Sequence, residues 1–390
     1  MDTGIIKKTN VKAVIEGLMQ MGEVIAPIRN SDYYAFSPLT SAEAACLDYT
    51  NSKLSPKGCF FPQAEVLFYY EKEGNKTQEP PKENKPGYLL GIRPCDARAL
   101  ALLDPVFADA DEGASPSGDR QYQDVYYQEK RQNRIIIGLA CTSSQSTCFC
   151  TSIGGSPLDT TGMDMLWQDL GDGGQSFVSA SGAGGVSGAG GAGEDRYLVK
   201  PITSRGEELL AQLMAKLPLL VEKAGQEDLA EAKEQEQKIL QKMPPIFDAE
   251  AIADKLSSSF NDPAWQLIHE KCLGCATCAF VCPTCHCFDI QDENKCGKGR
   301  RVRLWDSCQL CLFTLHTSGH NPRPSGKERL RQRVMHKFNY FKTNNGQIAC
   351  VGCGRCIKEC PVNMDIRQII SAYLGGDASP APAGVGRVTG

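Results

Sequence analysis

The chain has 390 residues, 41% of them hydrophobic, with a net charge of −4. That length predicts two or three domains with sizeable cores, and the net charge argues neither for nucleic acid nor for an anionic membrane surface as a partner. No run reaches the roughly 18 apolar residues of a membrane span, and the start, Met1-Asp-Thr-Gly-Ile-Ile-Lys-Lys, has no apolar signal core.

The nineteen cysteines, many of them two or three apart, suit metal ligation better than disulfides, so a reducing cytoplasm, that of an anaerobe, is the expected setting. Residues 11–22 carry apolar positions at helical spacing. Ala64–Tyr70, Gly87–Ile92 and Arg134–Leu139 read as strands, and the run from Asp96 to Leu103 as a helix just after a tight turn. Strands alternating with helices predict an α/β-type domain over 1–178. Two signals stand at its strand ends, where sites gather in such sheets: Gly91-Ile-Arg93-Pro94-Cys95-Asp96-Ala-Arg98, and Cys141 followed by Cys148-Phe-Cys150. Together they supply four thiols, enough for one cubane, but their spacing is not a ferredoxin spacing, and packed or free thiols remain the alternative. Arg93, Asp96 and Arg98 are expected to form a local ion-pair network bracing the Cys95 loop, with the positioning of an acceptor or docking partner as the alternative.

Residues 179–196 read as a flexible Gly/Ser/Ala linker. Gly188-Ala-Gly190-Gly-Ala-Gly193 formally matches G-x-G-x-x-G, but it lies in a low-complexity run followed by Glu-Asp-Arg, so no dinucleotide site is expected. Residues 197–260 read as a helical connector. Gly206–Met243 is rich in helix formers and is broken at Pro218, and Phe247–Phe260 suits a short helix with Asp248 as N-cap.

Residues 261–372 carry Cys272-Leu-Gly-Cys275-Ala-Thr-Cys278-Ala-Phe-Val-Cys282-Pro283 and Cys350-Val-Gly-Cys353-Gly-Arg-Cys356-Ile-Lys-Glu-Cys360-Pro361. Both follow C-x2-C-x2-C-x3-C-P, the spacing that ligates cubane iron–sulfur clusters. Three cysteines two residues apart on a tight turn aim at three corners of one cube, and the fourth reaches across to the other cluster. This assigns Cys272, Cys275, Cys278 and Cys360 to one [4Fe-4S] cluster, and Cys282, Cys350, Cys353 and Cys356 to a second. Structural zinc is the alternative; two complete runs, each ending in proline, weigh against it. The stretch between the motifs holds Cys285, Cys287, Cys296, Cys308 and Cys311. Cys285 and Cys287 with Cys308 and Cys311 offer a set for zinc or a further cluster, or are thiols packed beside the cubanes. His286, His316, His320 and His336 either donate to cluster sulfurs or fill structural roles. The run Arg329–Lys337, with Arg300, Arg301 and Arg303, reads as a positive surface for an acidic partner or as charge balance for anionic clusters. Residues 373–390 read as a disordered tail. The fold class expected is α+β.

Beyond these motifs the chain resembles the iron–sulfur subunit family that contains the beta subunit of cytoplasmic sulfhydrogenases and the A subunit of anaerobic sulfite reductase, proteins with a two-cluster ferredoxin domain. The resemblance lies in Leu47-Asp-Tyr-Thr-Asn, Gly91-Ile-Arg-Pro-Cys-Asp, Cys148-Phe-Cys-Thr-Ser, Cys282-Pro-Thr-Cys-His-Cys-Phe-Asp, Trp305-Asp-Ser-Cys-Gln, Gly319-His-Asn-Pro-Arg, Arg331-Gln-Arg-Val-Met-His-Lys-Phe and the Cys350 motif. It implies a third [4Fe-4S] cluster on Cys95, Cys141, Cys148 and Cys150, and no flavin in this chain. It also implies single-electron relay between a flavin/NAD(P)H-binding subunit and a catalytic subunit of hydrogenase, sulfite reductase or heterodisulfide-reductase type. The Gly/Ser/Ala insert departs from the family. No Ser/His/Asp group, P-loop or credible dinucleotide fingerprint is present, which favours a relay over an independent catalyst. The rivals are a flavin- or substrate-binding oxidoreductase subunit using the 93–98 loop, and a redox sensor.

Overall fold

The structure, a computed structural model, describes residues 2–81, 86–107, 123–171 and 195–374. The expected linker at 179–194 and the tail from 375 onward lie outside the described residues. In chain order the strands are β1 (Gly4–Lys7), β2 (Glu23–Asn30), β3 (Tyr33–Pro38), β4 (Ala64–Glu71), β5 (Lys76–Gln78), β6 (Gly87–Ile92), β7 (Arg134–Leu139), β8 (Met165–Asp169), β9 (Arg196–Pro201), β10 (Glu222–Lys223), β11 (Phe288–Lys295) and β12 (Lys298–Trp305).

Among the described residues one large sheet runs β10-β1-β9-β8-β7-β6-β2-β3. Its centre is parallel, β2 to β6 to β7 to β8, which demands cover on both faces. The helix Val11–Met21 covers one face. Its Val14, Ile15 and Leu18 pack with Val24, Leu90, Ile137 and Trp167, each such burial contributing about 1.5–3 kcal/mol. The helix Pro94–Phe107 covers the other, setting Ala97, Leu100 and Leu103 against Leu89, Ile136 and Leu166. That helix starts two residues earlier than expected, because Pro94 suits the first helical turn, where its missing N–H costs nothing.

The segment expected as a helical connector gives its first residues to the sheet: β9 lies between β1 and β8, antiparallel to both. The helices Ser204–Lys216 and Gln226–Lys242 then follow, separated around Pro218 as the sequence predicts. The next helix is Ile252–Ser258, with Ala251 as its N-cap. Asp248 instead accepts from the Glu250 N–H at 2.9 Å in a local turn that precedes it.

A second sheet, β11-β12-β4-β5, joins chain segments from both halves. The hairpin β11–β12 turns at Cys296 and Gly297, both with positive φ (54° and 80°), and β12 pairs antiparallel with β4. Every residue of β11 is exposed, and its apolar alternation stops after Phe288 and Ile290. The hairpin also corrects the expected positive surface. Arg300 pairs with Glu293 and Arg301 with Asp292 across the strands, exposed pairs of small net worth, while Arg303 is buried against Glu65 and Asp124.

The cores run across the expected boundary between 178 and 261. Phe149 and Ile153 pack with Trp265, Phe338 and Ile370, and Ala99 and Leu102 pack with Phe341, Val351 and Cys353. At this junction Arg355 is enclosed. It forks onto Asp96 at 2.6 and 2.7 Å and donates to Ser52 O at 2.8 Å and Ser52 Oγ at 3.0 Å. Removing one side of a buried pair leaves the other charge without compensation, at about 3–5 kcal/mol. Asp96→Ala is therefore expected to cost about that much, and Asp96→Leu/Arg355→Met to lose less than Asp96→Ala alone. Thermal unfolding of the anaerobically purified chain checks both.

Candidate metal centres

The first cysteine motif folds as a turn because Gly274 and Ala276 both take left-handed φ, 66° and 63°. The turn brings Cys272, Cys275 and Cys278 to the wall of one cavity. Cys360, from the second motif, lines the same cavity. The second motif turns at Gly352 and Gly354, φ 63° and 73°, and Cys350, Cys353 and Cys356 line a second cavity together with Cys282 of the first motif. Each fourth cysteine thus lines the cavity of the other motif, and Cys356 lines both cavities.

The linings suit cubane clusters. Each cavity sets its cysteines, five in the first and four in the second with Cys356 in both, among apolar walls: Val334, Ile366 and Ile369 in the first, Val351 and Ile366 in the second. Amide N–H groups donate to sulfur, Gly274 to Cys272 Sγ at 3.4 Å and Met364 to Cys360 Sγ at 3.2 Å, as cluster thiolates require. Burial pushes the Cys350 thiol up and that of Cys353 up to about 12. Thiolates there need a compensating positive charge, which bound iron would supply. Among the described residues no three His, Cys, Asp or Glu side chains are grouped as a site for a single metal ion.

Cys95 and Cys141 meet because β6 and β7 are neighbouring parallel strands that end together. Gly91, at φ 81°, interrupts the register of β6 with a bulge, and its carbonyl accepts from Tyr49 Oη at 2.6 Å. Arg93 ties the strand ends, donating to Leu139 O at 3.3 Å and Ala140 O at 2.8 Å. Cys148 and Cys150 arrive on a loop locked to the second motif, where Phe149 N donates to Gly352 O at 2.8 Å. The four thiols form one neighbourhood. Cys150 is raised to about 12 by burial and by Cys141 and Cys148, while Cys95 is raised by burial, by Asp96 and Cys353, and further by Cys141.

The local ion-pair network expected of Arg93, Asp96 and Arg98 does not form. Asp96 pairs with Arg355, Arg93 lies over the Tyr49 ring at 4.3 Å, and Arg98 sits 3.8 Å from Asp159. Residues two apart on a helix point different ways, so Asp96 and Arg98 find separate partners. Of Cys285, Cys287, Cys308 and Cys311, the first three are neighbours: Cys287 lies beside both Cys308 and Cys285, and Cys285 beside Cys282, while Cys311 is exposed. The histidines pair edge-to-face, His286 with His336 and His316 with His320, both with centroids 5.4 Å apart. Burial lowers His286 and His336 to about 4, and His286 Nδ1 faces Thr284 O at 3.1 Å rather than a sulfur.

Of the two readings of the Arg329–Lys337 run, surface or charge balance, two residues take the inward place, though the sequence did not single them out. Arg333 and Lys337 are buried. Arg333 Nη1 reaches Cys285 Sγ at 3.4 Å and Lys337 Nζ reaches Cys282 Sγ at 3.2 Å. Their spacing of four, one helical face, was the available signal.

A family model described as a 4Fe-4S dicluster domain matches residues 271–364. Over 360 residues the chain is 31% identical to the sulfhydrogenase 2 subunit beta of Pyrococcus furiosus, covering 92% of this chain and 94% of that protein. The chain belongs to the sulfhydrogenase beta subunit family. It is an iron–sulfur protein of electron transfer and oxidoreduction, and no helix among its described residues is long and apolar enough to cross a membrane.

In this family member the two motif turns are not equivalent. A Cβ on Gly354 would lie 2.4 Å from Thr147 O, and one on Gly352 2.5 Å from Cys150 N. At Gly274 the nearest atom is Gln309 O at 3.8 Å, and the position matching Gly354 is already an alanine, Ala276. Gly274→Ala is expected to cost only the about 1–2 kcal/mol of left-handed strain. Gly354→Ala is expected to cost clearly more and to loosen the Cys148–Cys150 loop; melting curves and limited proteolysis of the two variants compare them.

Proposed function

We propose that this chain is an electron-relay subunit, with [4Fe-4S] clusters on Cys272, Cys275, Cys278 and Cys360, on Cys282, Cys350, Cys353 and Cys356, and on Cys95, Cys141, Cys148 and Cys150. When bound, such clusters accept and release single electrons. The observation that carries the reading is the crossing of Cys282 and Cys360 between the two cavities. The thiol groups lie in sequence across the protein. Cys95 neighbours Cys353 of the second cavity, Cys356 lines the second cavity and the first, and Cys275 of the first is exposed. The protein holds its sulfurs in apolar walls that limit water and under amide donors that favour thiolate. Its partners on this reading are the other subunits of a hydrogenase-type complex, a flavin/NAD(P)H-handling subunit and a catalytic redox subunit. The similarity to a sulfhydrogenase beta subunit supports this reading.

Iron and acid-labile sulfide per chain test it, after anaerobic purification of wild type and of Cys148→Ala/Cys150→Ala. About 12 irons falling to about 8 is expected, four per cluster. A wild-type value near 8 that the double substitution leaves unchanged removes the third cluster.

A further inference from the structure

We propose that Lys337 sets the reduction potential of the cluster held by Cys282, Cys350, Cys353 and Cys356: its fixed, buried ammonium favours the state with one more negative charge. This rests on the relay reading above and adds to it the residue that governs where the electron resides.

The helix Gly326–Met335 continues into a π-helical turn, His336–Tyr340. Such turns are rare and recur at functional sites. Here the turn carries Lys337, which is 4% exposed. Its Nζ has three hydrogens and three acceptors: Cys282 Sγ at 3.2 Å, Thr284 Oγ1 at 2.8 Å and Ala349 O at 3.1 Å. Thr284 Oγ1 in turn donates to Ala349 O at 2.8 Å, so the acceptor shell is itself held. The ammonium cannot swing away to water.

A buried charge requires an opposite charge. Among the described residues Lys337 forms no salt bridge with a carboxylate; what its ammonium touches in the way of an anion is a cysteine sulfur. Arg333 reinforces the field from the same helical face and lines both cavities, whereas Lys337 lines the second alone. The second cavity has two buried cysteines, Cys353 and Cys282, while Cys275 of the first is exposed. Water therefore has least access where Lys337 stands. In a low-dielectric setting a unit charge at contact distance outweighs more distant groups, so the charge added on reduction is stabilised there chiefly by this side chain. A cluster held by these cysteines would be reduced by one electron, lost by a neighbouring reduced cluster, with no bond broken. Because the second cavity lies between the Cys95 group and the first, an electron travelling either way resides beside Lys337.

The alternative is that Lys337 only pins the Cys282 loop to Ala349. EPR-monitored redox titration of the full chain, with iron measured on each sample, separates the two. Lys337→Met removes the charge and the hydrogen bonds, Lys337→Gln keeps a donor without charge, and Lys337→Arg keeps the charge. The expected result is that, at wild-type iron content, Lys337→Met and Lys337→Gln lower the equilibrium constant for reducing one cluster at least tenfold, about 59 mV for one electron. The other clusters stay put, and Lys337→Arg recovers much of the shift. Unchanged potentials at full iron content overturn the proposal. So does loss of iron in both uncharged variants, which makes Lys337 an assembly residue. A wild-type chain without iron instead defeats the relay reading on which the proposal stands.

Discussion

The enclosed fork between Arg355 and Asp96 is the constraint on which the architecture turns. Arg355 stands inside the second cysteine motif, and Asp96 follows Cys95 on the helix that leaves the parallel sheet. Neither charge tolerates burial alone, so the motif and the sheet end must form together. Ser52 completes the shell through its carbonyl and hydroxyl. The pair therefore does more than join two segments: it fixes the distance between the Cys95 thiol group and the second cavity.

Steric fit gives the same junction its second layer. Gly352 and Gly354 present bare backbone to the loop carrying Thr147, Phe149 and Cys150, and the loop answers with a hydrogen bond from Phe149 N to Gly352 O. The first motif has no such neighbour and keeps an alanine where the second needs glycine. Two repeats with the same cysteine spacing are thus divided into one that docks and one that faces outward, with Cys275 exposed. At the docked motif a single added methyl group would meet the loop backbone.

Charge compensation explains the basic residues that a linear reading assigns to the surface. Arg333 and Lys337 turn inward to sulfur, Arg355 turns to Asp96, and Arg303 is buried against Glu65 and Asp124. Arg331, on the same helix, stays outside and lies over the Phe260 ring at 3.8 Å. One helix therefore divides its cations by face, and the inward face serves the anionic sites.

By itself the sequence determined what is local. The C-x2-C-x2-C-x3-C-P spacing marks the two motifs, because ligand geometry restricts where such cysteines can stand. The apolar runs at Gly87–Ile92 and Arg134–Leu139 announce buried parallel strands, and Pro218 announces the gap between two helices. Tertiary structure alone decided the rest. It inserted β9 between β1 and β8, paired the exposed β11–β12 hairpin with β4, and gave Asp96 a partner 259 residues away. These outcomes depend on which distant backbone edges and buried charges meet. No periodicity or spacing encodes that, because the partners are chosen by shape and by the cost of leaving a buried group unpaired.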